Sequence, residues 1–326
     1  MKADRFWWSN FSGATPWAAV AVVLLITAYV NETIALDSLS FDSQPLYEQS
    51  MSEQGVSLVA AATYLRARTG WGVPAIGFAL VAIAAVLTAL FVIAQSFKDL
   101  AIRDRIRGSI TIILAAAALL AAAIYAGESV ISEPAVTSEL RKATMHRTTA
   151  THAVAMSTMF DTISYLVFLL LLAAASASLV WSKTSAPTPA SLALRLRQTR
   201  WLLYAGAAAL VLRAIEMHAL YRWPSVWLSK EMGAAVDQMA LSLSTAHGAF
   251  YSAVLMALYL PTALTLRMRS KSLAIAAVGG GEQQEAWLAK EGLSLSPFKE
   301  MTSLMITLAP LLAGGPVSKL FGALAG

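Results

Sequence analysis

The chain contains no cysteine and little charge. Of its 326 residues, 13% are charged and 57% hydrophobic, whereas ordinary soluble domains are roughly 25% charged. Without a thiol there is no disulfide, no thiolate metal site and no cysteine nucleophile. A mean hydropathy of +0.62 makes a water-soluble globule a poor fit. Catalytic signatures are missing as well. There is no Walker A, G-x-G-x-x-G or H-E-x-x-H pattern, and no G-x-S-x-G nucleophile elbow. No lysine lies inside an apolar run, which disfavours a retinal Schiff base, and no ring of acids is placed to line a cation pore. The net charge of +5 is not gathered into a basic and aromatic groove, so nucleic acid is not an expected partner.

What the chain does have is apolar runs of membrane-crossing length, about 20 residues each. Six are expected, at 16–36, 72–95, 109–126, 162–181, 201–221 and 246–266. Orientation follows from the basic residues between them. One side collects Lys2 and Arg5, then Lys98, Arg103, Arg105 and Arg107, then Lys183, Arg195, Arg197 and Arg200, and finally Arg267, Arg269 and Lys271. Only Asp4, Asp99 and Asp104 oppose them there. The other side is acid-rich, with Glu32, Asp37, Glu48, Glu128, Glu133, Glu139 and Asp237. The basic side is read as cytoplasmic, with both termini inside and the membrane as a bacterial inner (plasma) membrane.

Spacing suggests threefold repetition. Runs one, three and five are each followed by an outer loop containing a proline (Pro45, Pro134, Pro224) and then by a helix-compatible stretch leading into the next run. The expected fold is an all-α integral membrane protein with six transmembrane helices in three hairpins. Residues 1–271 form the bundle, with helical extensions on the outer side at 31–71, 127–161 and 222–246. Glycine and proline in TGWGVP (69–74) are expected to kink or interrupt the first extension. Residues 272–326 are read as a cytoplasmic linker, jointed at Gly279–Gly281, followed by an amphipathic C-terminal helix. The apolar stretch at 298–313 is read as interfacial rather than as a seventh span, because Pro310, Gly314 and Gly315 stop it.

Chemistry concentrates in LRAIEMHALYRWP (212–224), inside the fifth run. Arg213 lies about 20 Å above Arg200 at helical rise, in the outer third of the span, and Glu216 follows at a spacing that pairs side chains on one helix face. Intramembrane ionisable groups usually face the bundle interior, although an arginine here also has the option of snorkelling outward. His218 and His247 sit at similar heights on neighbouring spans and are candidates for metal or bis-imidazole haem ligation; hydrogen-bonded interfacial histidines are the plainer reading. Asp161, at the outer mouth of the fourth span, is placed to face Arg213. The polar intramembrane cluster is therefore Arg213, Glu216, His218, His247 and Asp161, with no catalytic residue assigned and no cofactor identified.

Three functions are compatible with these features. The first is a non-enzymatic channel-like, sensory or scaffolding subunit of an assembly. Its partners would be the lipid bilayer and other chains, or copies of itself, reached through the outer helices and the C-terminal helix. The second is a small-molecule permease with a polar site in the outer leaflet. The third is a redox protein holding haem or a quinone.

Overall fold

The structure is a computed structural model that describes residues 14–34, 58–98, 100–125, 147–181, 187–279, 281–293, 302 and 305–314. Every element among these residues is helical. In chain order they are α1 (Thr15–Ile34), α2 (Leu58–Lys98), α3 (Ile102–Tyr125), α4 (Arg147–Leu179) and α5 (Pro189–Arg222). A 3-10 turn (Trp223–Trp227) then leads into α6 (Lys230–Val278), α7 (Glu282–Lys290) and the short α8 (Ala309–Leu312). Among the described residues, four stretches are long and apolar enough to cross a membrane: Thr69–Lys98, Ala155–Leu179, Pro189–Ser225 and Lys230–Val278. The runs expected at 16–36 and 109–126 fall on the helices α1 and α3, and α3 opens on the charged IRDRIR.

The faces of α2 show which solvent it suits. Ala75, Phe78, Ala82, Ala85 and Ala89 are buried, while Val73, Ile76, Leu80, Ile83 and Leu87 on the opposite stripe are 58–66% exposed. A helix that buries small residues and exposes large aliphatic ones matches lipid, where association depends on close packing. The interruption expected at TGWGVP does not occur, since α2 runs unbroken from Leu58 to Lys98 with Pro74 inside it. Proline there removes one backbone donor, but Trp71, Ala75 and Phe78, one and two turns apart, are all buried in the core. That packing holds the segment helical.

The helix ends explain where the chain reverses. Pro189 opens α5 behind a reciprocal cap, in which Thr188 N–H donates to Ser191 Oγ at 3.1 Å and Ser191 N–H to Thr188 Oγ1 at 3.2 Å. Ser229 caps α6, accepting from Met232 N–H at 3.4 Å. At the basic end, arginines take the carbonyls that a helix C-terminus leaves unpaired. Arg105 donates to Leu100 O and Lys98 O, both at 2.7 Å. Arg195 donates to the carbonyls of Ala177, Ser178 and Val180, and Arg269 to Leu179 O at 3.2 Å, which together close α4. The Trp181 ring lies between the two, 4.0 Å from the Arg195 guanidinium and 5.3 Å from that of Arg269.

In the packed bundle α5 lies against α6, α2 and α4, while α1 packs on α6, α3 and α4. α6 continues to Val278, so residues 272–278 extend the helix instead of beginning a linker, and Gly279 (φ 81°) ends it. α7 folds back along α6, bringing Leu288 and Leu293 against Leu266, Ala274, Leu179 and Leu192. The residues at 305–314 pack against α5 and α6, with Ala313 in the main core. Of the expected outer extensions, 35–57 and 126–146 lie outside the described residues. The parts at 58–71, 147–161 and 230–246 are helical and continuous with the spans they precede.

At the centre, Gly206 of α5 allows three helices to close up. A Cβ there would stand 3.0 Å from Leu171 Cδ1 of α4 and 3.1 Å from Leu255 Cδ2 of α6. Gly206→Val is expected to destabilise the bundle by about 1–3 kcal/mol, as overpacking does. The check is a lowered unfolding midpoint for the detergent-solubilised variant.

Candidate functional site

Arg213 is fully buried on α5, as is Glu216 one turn further along. One guanidinium nitrogen, Nη1, donates to Glu216 Oε2, while Nη2 reaches across to Asp161 Oδ1 on α4. Glu216 accepts a second bond through its other oxygen, from the Trp71 indole N–H of α2 at 2.6 Å. Three helices are thus joined through one cation. Asp161, with 31% of its side chain exposed, is the only one of the three charged groups that reaches the surface.

Aromatic rings enclose this cluster. Phe78 lies under the guanidinium, 5.8 Å from its carbon to the ring centre. Trp71 meets Phe160 edge-on at 6.3 Å and Trp223 at 5.6 Å, and Phe78 meets Phe160 at 5.7 Å. From α6, the Tyr251 hydroxyl comes within hydrogen-bonding reach of Arg213 and donates to Met217 Sδ at 3.3 Å. In so apolar a setting an ion pair gains little net energy, because desolvating two charges offsets their attraction. Removing a single partner is different, since the remaining charge stays buried and uncompensated.

The two histidines lie beside this cluster but in separate environments. His218 Nδ1 meets Ser244 Oγ of α6 at 3.2 Å. His247 Nδ1 donates to the Leu243 carbonyl of its own helix at 2.8 Å, and its ring lies 6.1 Å from Tyr221 and 6.3 Å from Tyr251. No group of three His, Asp or Glu side chains able to hold a metal occurs among the described residues. At the end of the same helix pair nearest the 3-10 turn, Arg222 Nε donates to Asp237 Oδ1 at 3.0 Å, both groups more than a third exposed, which marks a polar boundary.

Some of this arrangement is visible in local spacing and some is not. Glu216 follows Arg213 at the pairing interval of a helix. Trp71, Phe78 and Tyr251 were missed. Trp71 and Phe78 carry a signal, since residues 71, 75 and 78 share one helical face, but the surrounding glycines and proline obscure it.

No protein-family model matches the chain, and no curated protein or solved structure does.

What the cluster can do follows from its bonding. It holds α2, α4 and α5 together while both Glu216 oxygens are engaged, and it loosens if either carboxylate is neutralised. Arg213→Met is expected to lose roughly 3–5 kcal/mol by leaving Glu216 buried alone. Adding Glu216→Gln should restore a large part of that loss. The comparison is thermal unfolding of both variants in one detergent; equal losses in the single and double variants would show that the ion pair is not coupled.

Proposed function

We propose that the chain is a non-catalytic polytopic membrane protein, a channel-like, sensory or scaffolding subunit of a membrane assembly. The observation that carries this reading is the bonding of the Arg213 cluster within the chain. Both terminal guanidinium nitrogens and both oxygens of Glu216 are engaged with residues of the same chain, an arrangement that acts on helix positions rather than on a substrate. The topology proposed with it has α1 to α6 as six crossings in a bacterial plasma membrane. Lys98, Arg105, Arg195 and Arg269 face the cytoplasm together with the N-terminal segment, as the distribution of basic residues favours. Partner chains, or further copies of this one, would contact the outer parts of α4 and α6.

One observation supports a second reading, a small-molecule permease coupled to protons or cations. A single guanidinium faces two carboxylates, so a formal negative charge remains for a proton or cation to balance. In that reading Glu216→Gln abolishes uptake while the fold persists. A haem held near His218 and His247, in the redox reading, would show itself by colour.

The deciding experiment is the native mass and absorption spectrum of one gently extracted preparation. The expected result is a colourless particle well above the 34.6 kDa of one chain, after allowance for detergent. A colourless single chain without associated protein would overturn the assembly reading in favour of the permease. A Soret band would overturn it in favour of the redox protein.

A further inference from the structure

The residues at 305–314 make specific contacts high on α6. Ser244 Oγ donates to the Gly314 carbonyl at 2.6 Å, and Thr245 Oγ1 donates to the same oxygen at 3.2 Å. Leu311 N–H donates to Ser252 Oγ at 3.1 Å. Between these bonds the backbones touch directly. A Cβ on Gly248 would collide with the Pro310 carbonyl, and one on Gly314 would collide with that of Ser244. Ser244, Gly248 and Ser252 recur every four residues, forming a stripe of small side chains on one face of α6. Hydroxyls from that stripe take up the N–H and C=O groups that the broken helix around Pro310 leaves unpaired. Inside a bilayer such groups have no water to turn to.

The height of this contact can be read along α6. Leu293, after α7, clusters with Leu266, Leu179 and Leu192 close to the basic residues Arg195 and Arg269. Ser244 is 22 residues before Leu266 in α6, a rise of about 33 Å. Gly314 is 21 residues after Leu293, enough for about 31 Å at the same helical rise. Beyond Ser244, the exposed Arg222–Asp237 pair stands seven residues further out, about 10 Å. Leu293 and Gly314 are therefore separated along the bundle by a distance close to the thickness of the hydrocarbon core, about 30 Å.

We infer that the C-terminal part of the chain is a seventh membrane-crossing segment, seated on the Ser244–Gly248–Ser252 face of α6, and that it brings Gly314 to the side opposite α7. This replaces the interfacial helix and cytoplasmic end that composition alone suggests for 272–326. The segment also reaches the polar cluster's neighbourhood. Ser244 Oγ lies within hydrogen-bonding reach of both His218 Nδ1, at 3.2 Å, and the Gly314 carbonyl, at 2.6 Å. His218 on α5, Ser244 on α6 and the seventh segment form one hydrogen-bonded chain.

The absence of native cysteine makes the test clean. Single cysteines are introduced as Ala235→Cys on outer α6, Ala289→Cys on α7 and Ala323→Cys near the end of the chain. Each is treated with a membrane-impermeant maleimide in intact spheroplasts and after lysis. The expected result is that Ala323→Cys and Ala235→Cys label without lysis, to a similar extent, and Ala289→Cys only after it. If Ala323→Cys labels only after lysis, together with Ala289→Cys, the seventh crossing is overturned. In a second measurement, Gly248→Leu is expected to lower the unfolding midpoint by displacing Pro310; an unchanged midpoint would overturn the seating on α6. Neither readout depends on oligomeric state, so failure here is distinct from failure of the assembly reading.

Discussion

A single guanidinium organises the half of this bundle that lies away from Arg195 and Arg269. Burying Arg213 requires a counter-charge, and the nearest, Glu216, belongs to the same helix and so fixes nothing between helices. The cross-helix order comes from the remaining valences: Asp161 on α4 takes the second nitrogen, and Trp71 on α2 takes the second oxygen of Glu216. The aromatic rings around them follow from that choice, because a charged group in an apolar interior is stabilised by polarizable faces and by the exclusion of competing polar groups. Such a network contributes more to specificity of arrangement than to stability. That suits a membrane bundle, in which apolar side chains are nearly as content against lipid as against one another.

The two ends of the bundle are built by different means. At the basic end, Arg105, Arg195 and Arg269 act as caps for the carbonyls of α2 and α4, so residues that direct topology by their charge also complete the helices. At the acidic end the elements are held by the Arg213 cluster, by the 3-10 turn between α5 and α6, and by the seat of 305–314 on α6. Small residues make both regions possible. Gly206 lets α4, α5 and α6 meet, and Gly248 lets a second backbone touch α6.

How much of this the sequence discloses depends on the range of each interaction. Apolar runs and basic flanks are local, and they point to an all-helical membrane protein of six spans, of which α2, α4, α5 and α6 are long and apolar enough to cross among the described residues. The Arg213–Glu216 pair is local too, three residues apart. Asp161 is 52 residues from Arg213, and its position at a span mouth suggests a direction but not a bond. Trp71 was obscured by its own neighbours, since glycine and proline read as helix breakers until the burial of residues 71, 75 and 78 outweighs them. The seat of the C-terminal segment was least legible. Pro310 and the glycines after it argue against a span when judged alone. The groups that compensate for the break, Ser244, Thr245 and Ser252, lie some 60 to 70 residues earlier, where no local rule connects them.

The length of α6 carries a mechanical consequence. Its 49 residues make a rod about 73 Å long at helical rise, uninterrupted at Pro261. Tyr251 touches the cluster part-way along it, and α7 is folded against its far end. One continuous element therefore carries both the contact with the polar cluster and the seat of α7, and the distance between the two is set by helical rise alone.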